Sequence, residues 1–326
     1  MTKYLKLLVA TILSVVGLFF AFKGENLDEL MHHFMLVEVS GVILACFLLI
    51  VSCIVRAFRW KLLIRPFDDM SLNTAFGATM IGYFGNGIFA FRLGELLKAY
   101  YLTKKNDIKL MQAFGTVIIE RILDIISVFV IFALLIPWFP FEDNYIRYGV
   151  FGFMGITMII IFLLFLTVKY DWLKYLEKFK IFKSVYGRNI LSSVYNLFDG
   201  LTILKHINNS MAILISSILL WFLYFIETMV LINACGLELG ILDVGIIFFL
   251  GSIAIGIPAL PGSVGTYDAG IKYSLMIVFN VASEKALNYA IVSHAVAYFP
   301  LTIIGFFYFL IGNITMSELK QIEKAK

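Results

Sequence analysis

Charge is scarce in this sequence: Asp, Glu, Lys and Arg make up 15% of its 326 residues, where a soluble domain carries about 25%. Hydrophobic residues reach 61%, against about 45–50% in a soluble domain. Too little polar surface remains to clothe a water-facing globule, and so hydropathic a chain is not disordered either. Cysteine is almost as rare. Cys46, Cys53 and Cys235 each fall inside an apolar run and no CxxC occurs, which excludes a disulfide framework and a cysteine-held zinc site. Of the four histidines, His32 and His33 sit on a short outer loop without an evident third ligand. There is no Ser-His-Asp arrangement, P-loop or nucleotide-binding glycine motif, so no cofactor and no nucleic-acid partner is expected. The net charge of +4 needs no anionic macromolecule, because polytopic proteins retain Lys and Arg in cytoplasmic loops.

What is abundant is uninterrupted apolar sequence. Residues 7–22, 42–55 and 156–168 contain no charge. A helix crossing a bilayer core of about 30 Å needs roughly 20 apolar residues, and six segments qualify: 5–22, 35–55, 111–136, 148–168, 210–232 and 286–312. The first resembles a signal peptide, but no small-x-small cleavage site precedes Lys23, so it reads as an uncleaved span. Lys3 and Lys6 before it, Arg56, Arg59, Lys61 and Arg65 after the second, and the lysines of 169–207 mark the cytoplasmic side. Glu25, Asp28, Glu29, Glu142, Asp143, Glu238 and Asp243 mark the outer side. Both termini are therefore expected in the cytoplasm of a cell-membrane protein. Arg56, Arg59 and Trp60 read as interface anchors, and 169–207, with Trp172, Tyr175, Phe179 and Phe182 among lysines, as an amphipathic connector.

Two further apolar stretches, 72–97 and 244–282, have flanks that belong on one side of the membrane. Each is glycine-rich and reads as a re-entrant hairpin, a broken backbone tolerated at membrane depth only where protein or water satisfies it. The alternative for the second is two short helices. The order span, hairpin, span then occurs twice, over 35–136 and 210–312, in opposite orientation. Such repeats place a substrate site near the midplane. The expected fold is a single all-α polytopic membrane domain over 1–326: about six full transmembrane helices plus two re-entrant helical hairpins in an inverted repeat.

Intramembrane charge marks the candidate site, since each such residue costs about 2.5–3.5 kcal/mol to insert. The span FGTVIIERILDIISVFVIF carries Glu120, Arg121 and Asp124, with the two carboxylates sharing a face at i,i+4. The first hairpin, YFGNGIFAFRLGELLKAYYL, places Asn86 and Arg92 either side of its break and Glu95 one turn after Arg92. Arg92 has the forked geometry to grip phosphate, and Glu95 to orient or neutralise it. The second hairpin, GIPALPGSVGTYDAGIKYS, is broken by Pro258 and Pro261 and turned by Gly262 and Gly265. Tyr267 supplies a hydroxyl and Asp268 can cap the next half-helix, whose positive end suits an anionic head group. His294 stands mid-span, to titrate or to hydrogen-bond across a cavity. The competing reading is that Arg92, Glu95, Glu120, Arg121 and Asp124 form only a buried ionic clasp.

These residues carry a resemblance. NGIFAFRLGELLKAYYL resembles the N-x-x-x-P-x-R-x-G-E-x-x-R-A pattern of the flippase-like, lysylphosphatidylglycerol-synthetase transmembrane domain family. IERILDII resembles its E-R-x-x-D signature, and PALPGSVGTYDAG its P-G-G-x-G-x-x-E segment. Ala90 stands where proline is usual, Lys98 and His294 where arginine is common, and Asp268 where glutamate is. The resemblance implies a lipid translocase or a lipid-handling partner of a separately encoded lipid-modifying enzyme. With the chain ending about fourteen residues after its last span, a stand-alone form without a soluble catalytic domain is expected.

Together these features suggest a transporter, not an enzyme. Its expected substrate is an anionic phospholipid or polyprenyl-phosphate glycolipid, passed between leaflets through a polar groove. An intramembrane lipid-modifying enzyme, a small-solute or ion-coupled secondary transporter and a non-transporting assembly partner are the alternatives, and self-association is left open.

Overall fold

The computed structural model describes residues 3–89, 93–139, 209–256 and 261–312, with scattered helical residues between 148 and 196. Arg92, Pro258, parts of the expected span 148–168 and nearly all of the connector 169–207 lie outside the described residues. Among those described, every regular element is helical.

Helix α1 spans Lys3–Phe22. The expected outer loop after it is instead a short helix, α2 (Leu27–Met35), because Asn26 caps it. The Asn26 side chain accepts hydrogen bonds from the Asp28 and Glu29 amides at 3.0 and 3.4 Å. Asp28 and Glu29 in its first turn, and His32 and His33 in its last, suit the helix dipole. Helix α3 (Val39–Ile64) does not stop near residue 55 but continues through Arg56, Arg59 and Lys61. Helices α4 (Leu72–Ile88) and α5 (Gly94–Lys105) follow, then α6 (Leu110–Leu135). The later part holds α7 (Ser210–Ala234), α8 (Ile241–Gly256), a 3-10 turn at Pro261–Ser263, α9 (Thr266–Phe279) and α10 (Ser283–Ile311).

Among the described residues, α3, α7 and α10 are long and apolar enough to cross a membrane. Helix α6 has the length, 26 residues, but carries Glu120, Arg121 and Asp124. Their outward faces are apolar: Leu214, Ile218 and Phe222 on α7, and Phe299, Ile303, Phe307 and Leu310 on α10, are exposed at three- or four-residue spacing. Water would penalise such stripes; hydrocarbon does not.

Helices α3 and α7 pack side by side over most of their length, with α4 against α10 and α5, and α9 against α8, α10 and α1. Two apolar cores result. One gathers Trp60, Ile64, Ile81, Leu97, Leu102 and Val117 between α3, α4, α5 and α6. The other gathers Leu49, Ile232, Ile247, Leu275 and Leu301 where α3, α7, α8, α9 and α10 meet. Buried Lys272 of α9 closes one end, donating to the Ala21 carbonyl at 2.7 Å and to Glu25, which also accepts from Ser283 at 2.6 Å.

Both broken stretches close on backbone contacts that only glycine permits. The Asn86 side-chain oxygen accepts from the Gly94 amide at 3.0 Å, bridging the gap between α4 and α5. A β-carbon on Gly94 would fall 1.9 Å from the Gly82 carbonyl oxygen. At the second break Gly265 takes φ 84 and lies against α1, where a β-carbon would meet the Ser14 carbonyl oxygen at 2.3 Å. Substituting Gly94→Val is expected to cost about 1–3 kcal/mol or more through overpacking, read as a lower thermal unfolding midpoint of the detergent-solubilised protein.

Candidate functional site

Arg56, Arg59 and Trp60 recur at three- and four-residue spacing on α3 and so share a face. That face is buried, with Arg59 and Trp60 fully enclosed. The surface-anchor reading of these three residues is therefore corrected. The reason lies on α6, whose Glu120 and Asp124 present two carboxylates one turn apart. Arg56 donates to Glu120 and to Asp124, both at 3.0 Å. Arg59 donates to Asp124 at 2.6 Å and to the Ser217 hydroxyl of α7 at 3.3 Å. From α5, Lys98 donates to the second oxygen of Glu120, its ammonium 4.2 Å from the centre of the Trp60 ring. Trp60 in turn donates its indole N–H to Thr116 at 3.0 Å.

Arg121 completes the cluster from its rim. It lies 3.2 Å from Glu120, 3.3 Å from Asp124 and 3.5 Å from Glu95. Its side chain keeps 37% exposure, against 0% for those of Glu120 and Arg59. Four cations thus meet three carboxylates, leaving one positive charge in excess among the described residues. Donors are also left over: the Nε–H groups of Arg56, Arg59 and Arg121 are buried without a hydrogen-bond acceptor among the described residues.

A second polar group forms around the other break. His294 of α10 faces the Asp268 carboxylate with Nδ1 at 2.8 Å and the Gly262 carbonyl with Nε2 at 2.7 Å. The second oxygen of Asp268 accepts from the Gly265 amide at 2.8 Å, capping α9. Tyr267 donates to Ser293 at 3.1 Å. Pro261 and Gly262 lie in the 3-10 turn, with Gly262 at φ 75. That turn packs against α4. Tyr298 joins the two breaks, because its hydroxyl donates to the Gly87 carbonyl at 3.1 Å and its ring lies where a β-carbon on Gly262 would come within 2.8 Å.

The residues picked out in the sequence therefore fall into two groups. Glu95, Glu120, Arg121 and Asp124 converge in one; Pro261, Gly262, Gly265, Tyr267, Asp268 and His294 gather in the other. Asn86 joins neither cluster but ties the first break together, and Glu95 pairs with Arg121. Sequence reasoning missed Arg56 and Arg59, and took Lys98 only as a departure from a pattern. One signal was available: Glu95, Glu120, Arg121, Asp124 and Arg92 alone leave a carboxylate in excess, so buried cations had to come from elsewhere. Among the described residues no three His, Cys, Asp or Glu side chains converge as metal ligands would.

This arrangement sits in a chain whose residues 5–305 match the family model described as the lysylphosphatidylglycerol synthase TM region. The protein belongs to that family. It is similar to the UPF0104 membrane protein MJ1595 of Methanocaldococcus jannaschii, 24% identical over 94% of this chain and 96% of the relative. It is also similar to the UPF0104 membrane protein PH1989 of Pyrococcus horikoshii, 22% identical over the same shares, and to a UPF0104 membrane protein of Methanothermobacter thermautotrophicus, 25% identical over 77% of each chain. No solved structure matches. The family and the apolar helices together make this a multi-pass membrane protein.

Removing one member of a buried ionic group strands its partners, at a cost of about 3–5 kcal/mol. Glu120→Gln is expected to destabilise the protein by that order in chemical unfolding. The Glu120→Gln/Lys98→Met double variant is expected to recover part of the loss, since it withdraws both charges.

Proposed function

We propose that the protein is a lipid translocase, a transporter and not an enzyme, passing a lipid with an anionic phosphate head group between the leaflets of the cell membrane. The observation that carries this reading is Arg121. It is the most exposed cation of a cluster with positive charge to spare, and its planar fork suits phosphate oxygens. Glu95, 3.5 Å away, is the anion a head group would displace. The acyl chains would stay in the bilayer, along apolar outer faces such as those of α7 and α10.

The element order supports the same reading. A long helix, a broken helix pair and a second long helix occur as α3, α4–α5, α6 and again as α7, α8–α9, α10. We read these as inverted repeats with re-entrant pairs in a bundle of about six spans, the architecture that supports alternating exposure of a midplane site. The distribution of Lys and Arg argues for cytoplasmic termini. The family's printed description refers to the synthase of a phospholipid, which agrees with a lipid substrate.

The test is flipping of fluorescent phosphatidylglycerol in vesicles of phosphatidylethanolamine and phosphatidylglycerol containing the purified protein. Arg121→Ala is expected to slow flipping at least tenfold while lowering the unfolding midpoint less than Glu120→Gln does, because Arg121 keeps 37% exposure at the rim of the cluster, with Arg121→Lys in between. Equal rates for wild type and Arg121→Ala would remove the assignment.

A further inference from the structure

Glu227 is the only charged residue in α7, and none of the interactions above involves it. The register of α7 against α3 fixes its depth. The two helices run antiparallel, with the Glu38 amide donating to the Ala234 carbonyl at 2.8 Å and Arg59 meeting Ser217 further along. Glu227 is thereby level with Cys46. It lies seven residues, about 10 Å, from the end of α7 and about 15 Å along the bundle from Arg56. No Lys, Arg or His pairs with it among the described residues.

Its surroundings contain titratable groups but no countercharge. Cys46 and Cys53 of α3, Tyr267 of α9 and Tyr289 of α10 lie within electrostatic reach of Glu227. Of the other helices packed on α7, α8 carries no charge beyond Asp243 in its first turn, and α6 meets α7 where Asp124 holds Arg59 beside Ser217. Tyr83 of α4 and Tyr224 of α7 interact with each other and with Arg56, and Tyr83 also with Cys53.

A permanent anion at this depth would cost several kcal/mol with nothing to offset it. The carboxyl neither caps a helix nor clasps a cation, so a structural role does not explain it. A sodium ion would need about five or six oxygen ligands at once, and Cys46 and Cys53, two of the titratable groups in reach of Glu227, offer sulfur instead. A proton needs one oxygen.

We propose that Glu227 is a proton-binding site and that its loading and release couple lipid movement to a proton gradient. The inference rests on the translocase reading. In that role the half-buried side chain carries its proton as a carboxylic acid. When water reaches it from one face, its O–H bond breaks, the proton passes to water and the carboxylate keeps the electron pair. A hydronium ion on the other face restores the acid.

Two measurements test this. Infrared difference spectroscopy of the purified protein in lipid nanodiscs at neutral pH is expected to show a carboxylic-acid carbonyl band that Glu227→Gln removes and Glu227→Asp shifts. Absence of the band from wild type, or its survival in Glu227→Gln, overturns the site. In vesicles containing fluorescent phosphatidylglycerol, an imposed pH gradient is expected to change the wild-type flipping rate severalfold. Glu227→Asp should retain that response, and Glu227→Gln should flip at a rate indifferent to the gradient. A response that persists in Glu227→Gln, or that a sodium gradient reproduces at constant pH, overturns the coupling. If wild type flips no lipid at all, the translocase reading and the coupling fall together, while the infrared band still decides whether Glu227 holds a proton.

Discussion

The structure depends on two carboxylates, Glu120 and Asp124, buried in a protein interior that forbids isolated charge. Each must be matched by cations from other helices, and so the pair dictates how α3, α5 and α6 assemble. Arg56 and Arg59 align α3 against α6 through three hydrogen bonds of 3.0 Å or less, and Lys98 brings in α5. Ser217 extends the contact to α7. Apolar packing alone would leave these helices free to slide, because lipid tails and leucine side chains are equally good neighbours. Paired charge removes that freedom.

Much of this was legible beforehand, for a physical reason. Membrane-length apolar runs, helix-breaking Pro and Gly, and charge inside a span are local signals with large energies behind them. The three apolar spans, an interruption between Asn86 and Arg92, another around Pro258 and Pro261, and the carboxylate pair of α6 could therefore be read from composition and spacing alone. Asp268 as a cap for α9 followed from its place just after the glycine turn. The segment after α1 is a helix and not a loop because the Asn26 side chain caps it, a local signal that the neighbouring acidic residues mask.

The ionic cluster was only half legible. Arg56 and Arg59 follow a hydrophobic run, a position where arginine more often lies at the membrane surface, and their partners stand 64 to 68 residues away. Nothing local distinguishes a surface arginine from one that continues a helix into the core. The distinction lies in the charge balance of the whole interior, which a segment-by-segment reading does not close. His294 had the opposite fate. Its mid-span position was noticed, but the acceptors it faces, Asp268 and the Gly262 carbonyl, come from the facing broken segment.

Tyr298 carries a mechanical consequence. One phenol ring spans both interrupted elements, bonded to the backbone at the end of the first and wedged against the glycine turn of the second. The two interruptions thus share one side chain, so displacing either would move the ring or break its contact with the other.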